Sequence, residues 1–185
     1  MLSKTELKIL KLLFSDLTKD YTIRKISLSL KLPYPQTHRS IASLLEKKLI
    51  RKKQQGKSWI INLVLEEDKE DYVFVELERK KELIRENKLI KLLINDLKKS
   101  RYNQFICVLF GSYAEKKAKL DSDIDLLFVI PKEYDYGKFE KAIKTILTLR
   151  KVDTNLTTEK GLMEMWKNPL KLNVGNELLK KHVVL

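Results

Sequence analysis

One local pattern constrains this chain more than any other. The apolar run Phe105-Ile106-Cys107-Val108-Leu109-Phe110 stops on Gly111-Ser112, and ten residues later Asp123-Ile124-Asp125 opens a second apolar run that reaches Ile130. Only five glycines occur in 185 residues, so one placed directly after a strand-like run is informative. Side chains two apart on a strand share a face, which puts Asp123 and Asp125 together. Two carboxylates so close repel each other unless a cation lies between them. Mg²⁺ prefers hard oxygen ligands and keeps substrate phosphates in its shell. A glycine after a strand lets the backbone approach phosphate oxygens, the next residue offers a hydroxyl, and a helix starting there would aim free N–H groups at an anion. A third acid, Asp153, falls in the short strand-like run Val152-Asp153-Thr154-Asn155-Leu156, where an acid is costly without a role or a partner.

Taken together, Gly111-Ser112, the ten-residue gap, Ser122-Asp123-Ile124-Asp125-Leu126 and the later Asp153 resemble the DNA polymerase β-like nucleotidyltransferase superfamily, in particular its minimal members. The resemblance covers about residues 85–185. It implies an α/β core with a small mixed sheet, two Mg²⁺ ions, a nucleoside triphosphate as substrate, and transfer of a nucleoside monophosphate, AMP foremost, to an acceptor hydroxyl with release of pyrophosphate. By position, Asp123, Asp125 and Asp153 would be the catalytic metal ligands, and Gly111 and Ser112 would hold the β and γ phosphates. Minimal nucleotidyltransferases also act as antitoxins that modify a partner toxin, so a protein acceptor of that kind is a further implication. The chain departs from the pattern at Lys116, where many members carry glycine, and its loop Glu115-Lys116-Lys117-Ala118-Lys119 is unusually cationic.

The N-terminal third reads differently. Residues 1–65 hold 14 Lys/Arg against 4 Asp/Glu, a net of +10, while residues 66–185 hold 24 against 21. A concentrated basic field favours a polyanionic partner. Ser3 with Glu6 forms a capping box before Leu7, Leu10, Leu13, Phe14 and Leu17 at helical spacing. Thr22 opens a second helix with Ile23, Ile26 and Leu30 on one side. Pro33-Tyr34-Pro35 is expected as a rigid turn before a third helix starting near Gln36. Two strand-like runs around Gln55-Gly56 then form a hairpin. This order resembles the winged helix-turn-helix of archaeal and bacterial transcription regulators. It implies DNA contact through Gln36, Thr37, His38 and Arg39 on the third helix, and through Arg51, Lys52, Lys53 and Lys57 on the wing.

The fold class expected is therefore α+β: a winged helix-turn-helix over 1–65, an acidic linker and long connecting helix over 66–100 (Phe74–Ser100 by its apolar marks), and a small mixed-sheet nucleotidyltransferase domain over 101–185. Helices are also expected at about Tyr136–Leu149, Thr158–Trp166 and Val174–His182. The long helix makes a homodimer a further expectation. No apolar run approaches the ~18 residues a bilayer needs and no apolar signal core follows Met1, which points to a cytoplasmic protein and no membrane partner. One cysteine, Cys107, excludes an internal disulfide and reads as a buried structural thiol. Other motifs fail. Asp121, Asp123 and Asp125 imitate the start of an EF-hand, but Leu126 stands where that loop needs glycine and Lys132 where it needs glutamate. No P-loop occurs. Two function classes stay open: an enzyme tethered by a DNA-binding domain, and a DNA-binding regulator whose nucleotidyltransferase fold senses a nucleotide without turnover.

Overall fold

The computed structural model describes residues 1–67, 69–119, 121–147, 151–167 and 173–185. They form two compact units, Met1–Glu78 and Arg79–Leu185, each built around its own apolar core.

The first unit runs α1 (Lys4–Ser15), α2 (Ile23–Leu30), α3 (Tyr34–Glu46), β1 (Ile50–Gln55) and β2 (Ser58–Leu63), followed by the start of α4 (Glu70–Glu86). The capping box is present: Ser3 Oγ accepts from the Glu6 amide at 3.2 Å, and Glu6 Oε2 accepts from the Ser3 amide at 2.6 Å. Thr22 caps α2 through the Lys25 amide. The expected turn at Pro33-Tyr34-Pro35 is instead the first turn of α3. Pro33 is the N-cap and Pro35 lies within that turn, where a missing N–H would have no intrahelical partner anyway. Ile9, Leu10, Ile26, Ile41, Leu44, Leu49 and Ile61 make the buried centre. β1 and β2 pair antiparallel from Ile50↔Leu63 to Gln55↔Ser58. The two-residue turn puts Gly56 at φ +58, a left-handed conformation that favours glycine. Tyr72 of α4 packs edge-on against Phe14 at 5.1 Å and donates its hydroxyl to the Leu49 carbonyl. Three helices followed by a basic hairpin make this unit a winged helix-turn-helix.

The single helix expected over Phe74–Ser100 is two helices. α4 ends at Glu86, and α5 (Lys88–Leu97) starts afresh with Asn87 as its N-cap. Asn87 sits at φ −134, ψ 100, and its side-chain oxygen accepts from the Leu89 and Ile90 amides. An asparagine that can satisfy the first amides of a new helix competes with continuation of the old one.

The second unit continues β3 (Ile106–Phe110), α6 (Gly111–Ala114), β4 (Ile124–Val129), α7 (Tyr136–Ile146), β5 (Val152–Thr157), α8 (Glu159–Lys167), α9 (Val174–Lys180) and β6 (His182–Val184). The expected end of the helix at 148 and 149 lies outside the described residues. The sheet order is β5-β4-β3-β6, with β3 antiparallel to β4 and β6, and β4 parallel to β5. One sheet face, carrying Cys107, Leu109, Leu126 and Phe128, is buried against Ile90, Leu93, Ile94 and Leu97 of α5 and Phe139 and Ile143 of α7. The other carries Val108, Phe110 and Leu127 against Leu178 of α9, with Leu162 of α8 beside them. The helix expected to reach His182 ends at Lys180, and His182 opens β6 instead. Its His182 carbonyl accepts from the buried Arg79 guanidinium, which ties the start of the unit to its last strand. Cys107 is buried, and burial pushes its thiol well above the ordinary range, as a structural role requires.

Candidate functional site

Strand register brings the predicted acids together. Asp125 is the Cα partner of Asp153 across the parallel β4–β5 pair and of Phe110 across β3–β4. Partners in register project from the same face. Phe110 in turn pairs with His182. A row His182, Phe110, Asp125, Asp153 therefore crosses the sheet at the end where β3 finishes and β4, β5 and β6 begin. Asp123 lies two residues before Asp125 and just ahead of the strand. It is approached by a turn in which Ser122 Oγ accepts from the Lys119 amide at 2.8 Å. Asp123 and Asp153 are exposed and Asp125 is half-buried.

Gly111 sits directly against this row. At φ +66 it adopts a left-handed conformation, and a Cβ there would stand 2.0 Å from Asp125 Oδ2 and 2.8 Å from its Cγ. Any side chain at 111 would displace the carboxylate. The helix expected after Gly111 is one short turn, and its Ser112 amide faces the Asp125 carboxylate closely enough to favour its charged form. Burial first, then the charges of Asp153 and Asp123, push the Asp125 carboxyl above its ordinary range, and only that amide pulls it down. Three acids thus share one sheet end, and two of them oppose the ionisation of Asp125. Among the described residues, no group of three His, Cys, Asp or Glu side chains is already drawn together at metal-binding spacing.

Lys116 follows this turn at φ +59, the conformation that glycine adopts most easily, and its ammonium pairs with Glu86 at 2.7 Å. The position where the resemblance leads one to expect glycine does take a left-handed backbone here, with a lysine bearing the strain.

In the first unit the predicted nucleic-acid residues separate. His38 and Arg39 are exposed on the first half of α3, and Arg51, Lys52, Lys53 and Lys57 are exposed on the wing. Thr37 has no exposed surface, and its hydroxyl donates to the Pro33 carbonyl at 3.1 Å. It closes the first turn of α3 and cannot reach a partner, which corrects its assignment to the interface. Gln36 is half-buried and donates to Thr5 Oγ1 at 2.9 Å. Arg51 is paired with Glu66. The exposed surface also holds an aromatic that charge-based reading passes over, Trp59 at 48 %. The signal that could have found Trp59 is an aromatic at an outward strand position in a hairpin without acids.

A carboxylate row beside a glycine turn at one end of a mixed sheet defines a nucleotidyltransferase-type fold. Residues 87–165 match the family model for the polymerase beta nucleotidyltransferases, so the chain carries a domain of that family in its second unit. No curated protein matches the chain. Among solved structures, it is similar to a protein of Archaeoglobus fulgidus (19% identity, 47% of this chain and 93% of that one, TM-score 0.39). It is also similar to MepR, a transcription regulator of the Staphylococcus aureus multidrug efflux pump MepA (18% identity, 53% and 76%, TM-score 0.37). A third likeness is to TrmBL2, an archaeal chromatin protein (19% identity, 90% and 66%, TM-score 0.28). At these scores the winged helix-turn-helix is defined by its own element order, not by these likenesses. No helix among the described residues is long and apolar enough to cross a membrane.

Proposed function

We propose that the second unit transfers a nucleoside monophosphate, AMP foremost, from a nucleoside triphosphate to a hydroxyl on a protein or small molecule, and that the first unit binds DNA. The observation that carries the enzymatic reading is the pairing of Asp125 with Asp153 in register, with Gly111 pressed against Asp125 and the charges of Asp153 and Asp123 raising the proton affinity of Asp125. A donor set of carboxylate oxygens alone, held in mutual repulsion, fits Mg²⁺. Asp123, Asp125 and Asp153 would hold two such ions, which when bound supply charge neutralisation for the triphosphate and its leaving group.

The protein's own residues define the rest. Ser112 offers a hydroxyl to the β and γ phosphates at the point where the Gly111 backbone comes closest to the acids. Phe110, buried, fills the row between Asp125 and His182. Asp153, exposed on the edge strand, takes the proton of the acceptor hydroxyl. The acceptor oxygen forms a bond to the α-phosphorus, the bond to the bridging β oxygen breaks, and pyrophosphate leaves with that electron pair. Incubation of the chain with labelled ATP, CTP, GTP or UTP, Mg²⁺ and cell extract should label an acceptor, and Asp123→Ala with Asp125→Ala should abolish it. Equal labelling by that double variant would overturn the reading.

For DNA binding, the support is the exposed surface formed by His38 with the cations Arg39, Lys52, Lys53 and Lys57, within residues 1–65, which hold 14 Lys/Arg against 4 Asp/Glu. Affinity for duplex DNA should fall steeply with salt, and Arg39→Ala with Lys52→Ala should weaken it. Unchanged binding by that pair would sink this half of the proposal.

A further inference from the structure

The wing hairpin, residues 50–63, contains Arg51, Lys52, Lys53 and Lys57 and no acid. Among the described residues Lys52, Lys53 and Lys57 have no carboxylate partner, and Arg51 is the wing cation held by one, Glu66. In the midst of these cations Trp59 stands 48 % exposed on β2, opposite Gln54. The Lys52 ammonium lies 5.0 Å from the centre of its ring. The indole N–H has no hydrogen-bond partner among the described residues. Half-exposing the largest apolar side chain on a polar hairpin forfeits burial that the core could have provided. The ring is therefore placed for a partner that is anionic outside, flat and apolar inside, and able to accept a hydrogen bond.

Duplex DNA meets all three conditions in its minor groove. The phosphates line both edges, the floor of an A·T-rich stretch presents only acceptors, and neighbouring base pairs can be partly unstacked by an apolar wedge. We infer that Trp59 is a minor-groove contact of the wing: its indole N–H donates to base acceptors while Lys52, Lys53 and Lys57 hold the flanking phosphates. This inference rests on the DNA-binding reading of the first unit. It adds a residue that reads the shape of the DNA to residues that read only its charge.

The two contributions separate by salt dependence. With duplex DNA, Trp59→Ala should lower affinity about tenfold and leave the slope of log affinity against log salt unchanged, because no phosphate contact is removed. Trp59→Phe keeps an aromatic face and should retain most of the affinity. Lys52→Ala should reduce the slope by about one. The ring is half-exposed, so each variant should unfold thermally as the wild type does. In the Trp166→Phe protein, Trp59 is the sole tryptophan, and its emission should be quenched and shifted by an A·T-rich duplex. If the wild-type chain binds no duplex DNA at any salt, the DNA-binding reading falls and this inference with it. If the chain binds but Trp59→Ala matches wild type and the Trp59 emission is unmoved, the wedge falls alone. A response only to single-stranded DNA would overturn the minor-groove assignment.

Discussion

Glu6 and Asp125 are both acids withdrawn from solvent near the beginning of an element, and their surroundings act on them in opposite senses. Glu6, 3 % exposed at the start of α1, opposes its own burial with donors: the Lys47 ammonium at 2.7 Å, the Ser3 amide and the Ser43 hydroxyl. Burial alone would raise its carboxyl, but these partners together bring it down from 4.5 to about 2. Asp125 has one amide in its favour and two acids against it, and ends above its ordinary range. An acid supplied with donors is part of how the first unit holds α1 to α3. An acid supplied with further acids is a deficit of positive charge that a cation would fill.

The comparison breaks most sharply at the chemistry. Asp125→Asn should lower nucleotide transfer by on the order of a thousandfold, measured as initial rate of acceptor labelling, while leaving the fold intact. Gly111→Ala should lower it comparably in the same assay, by displacing the same carboxylate.

Next in size is Glu6. Its folded value lies below the unfolded one, so its contribution is fully present above pH 4.5 and is lost as the pH falls toward about 2. That shift corresponds to roughly 3 kcal/mol. Glu6→Ala should destabilise the first unit by about that amount near neutral pH, read by denaturant unfolding, and the difference from wild type should shrink below pH 4. A flat difference across that window would mean the acid is held by packing, not by its donors.

For Asp125 the sign reverses. Its folded value is raised, so its ionised form opposes folding at neutral pH and that penalty disappears as the pH falls through the folded value. Asp125→Asn should therefore stabilise the second unit at neutral pH without Mg²⁺, read by denaturant unfolding. Millimolar Mg²⁺ should raise the unfolding temperature of the wild type but not of Asp125→Asn. A metal response retained by the variant would remove the distinction drawn between the two acids.

The smallest effect belongs to Lys116. Replacing it with glycine relieves about 1 kcal/mol of left-handed strain and loses an exposed ion pair with Glu86 of similar or smaller worth. Stability should move by less than about 1 kcal/mol either way. A larger loss would show that the Lys116–Glu86 contact anchors the loop.

What could be read from residues alone followed the range of the interactions involved. Ser3 and Thr22 announced their helices because a cap is a bond between residues three apart. Asp123 and Asp125 announced a shared face because strand periodicity is local. The pairing of Asp125 with Asp153 could be guessed only as two strands in succession; its register depends on how α7 returns the chain to the sheet, which no short window contains. Asn87 was passed over because the apolar spacing runs on across it, although its capping chemistry was visible. Thr37 looked like an interface residue for its polarity and its place on α3, but the Pro33 carbonyl, which already accepts the Thr37 amide at 3.0 Å, takes its hydroxyl as well. β6 escaped notice because three residues gain strand character only from a neighbour, here β3.

The β4–β5 register has a consequence for descent. The spacing between Asp125 and Asp153 along the chain is free to drift, since any insertion in the crossover around α7 leaves the two strands paired. The step between them across the sheet is not, because a slip of one residue turns Asp153 to the opposite face. Lineages of this protein should therefore vary in the length of that crossover while inheriting the acid row as an indivisible character, kept whole or lost whole.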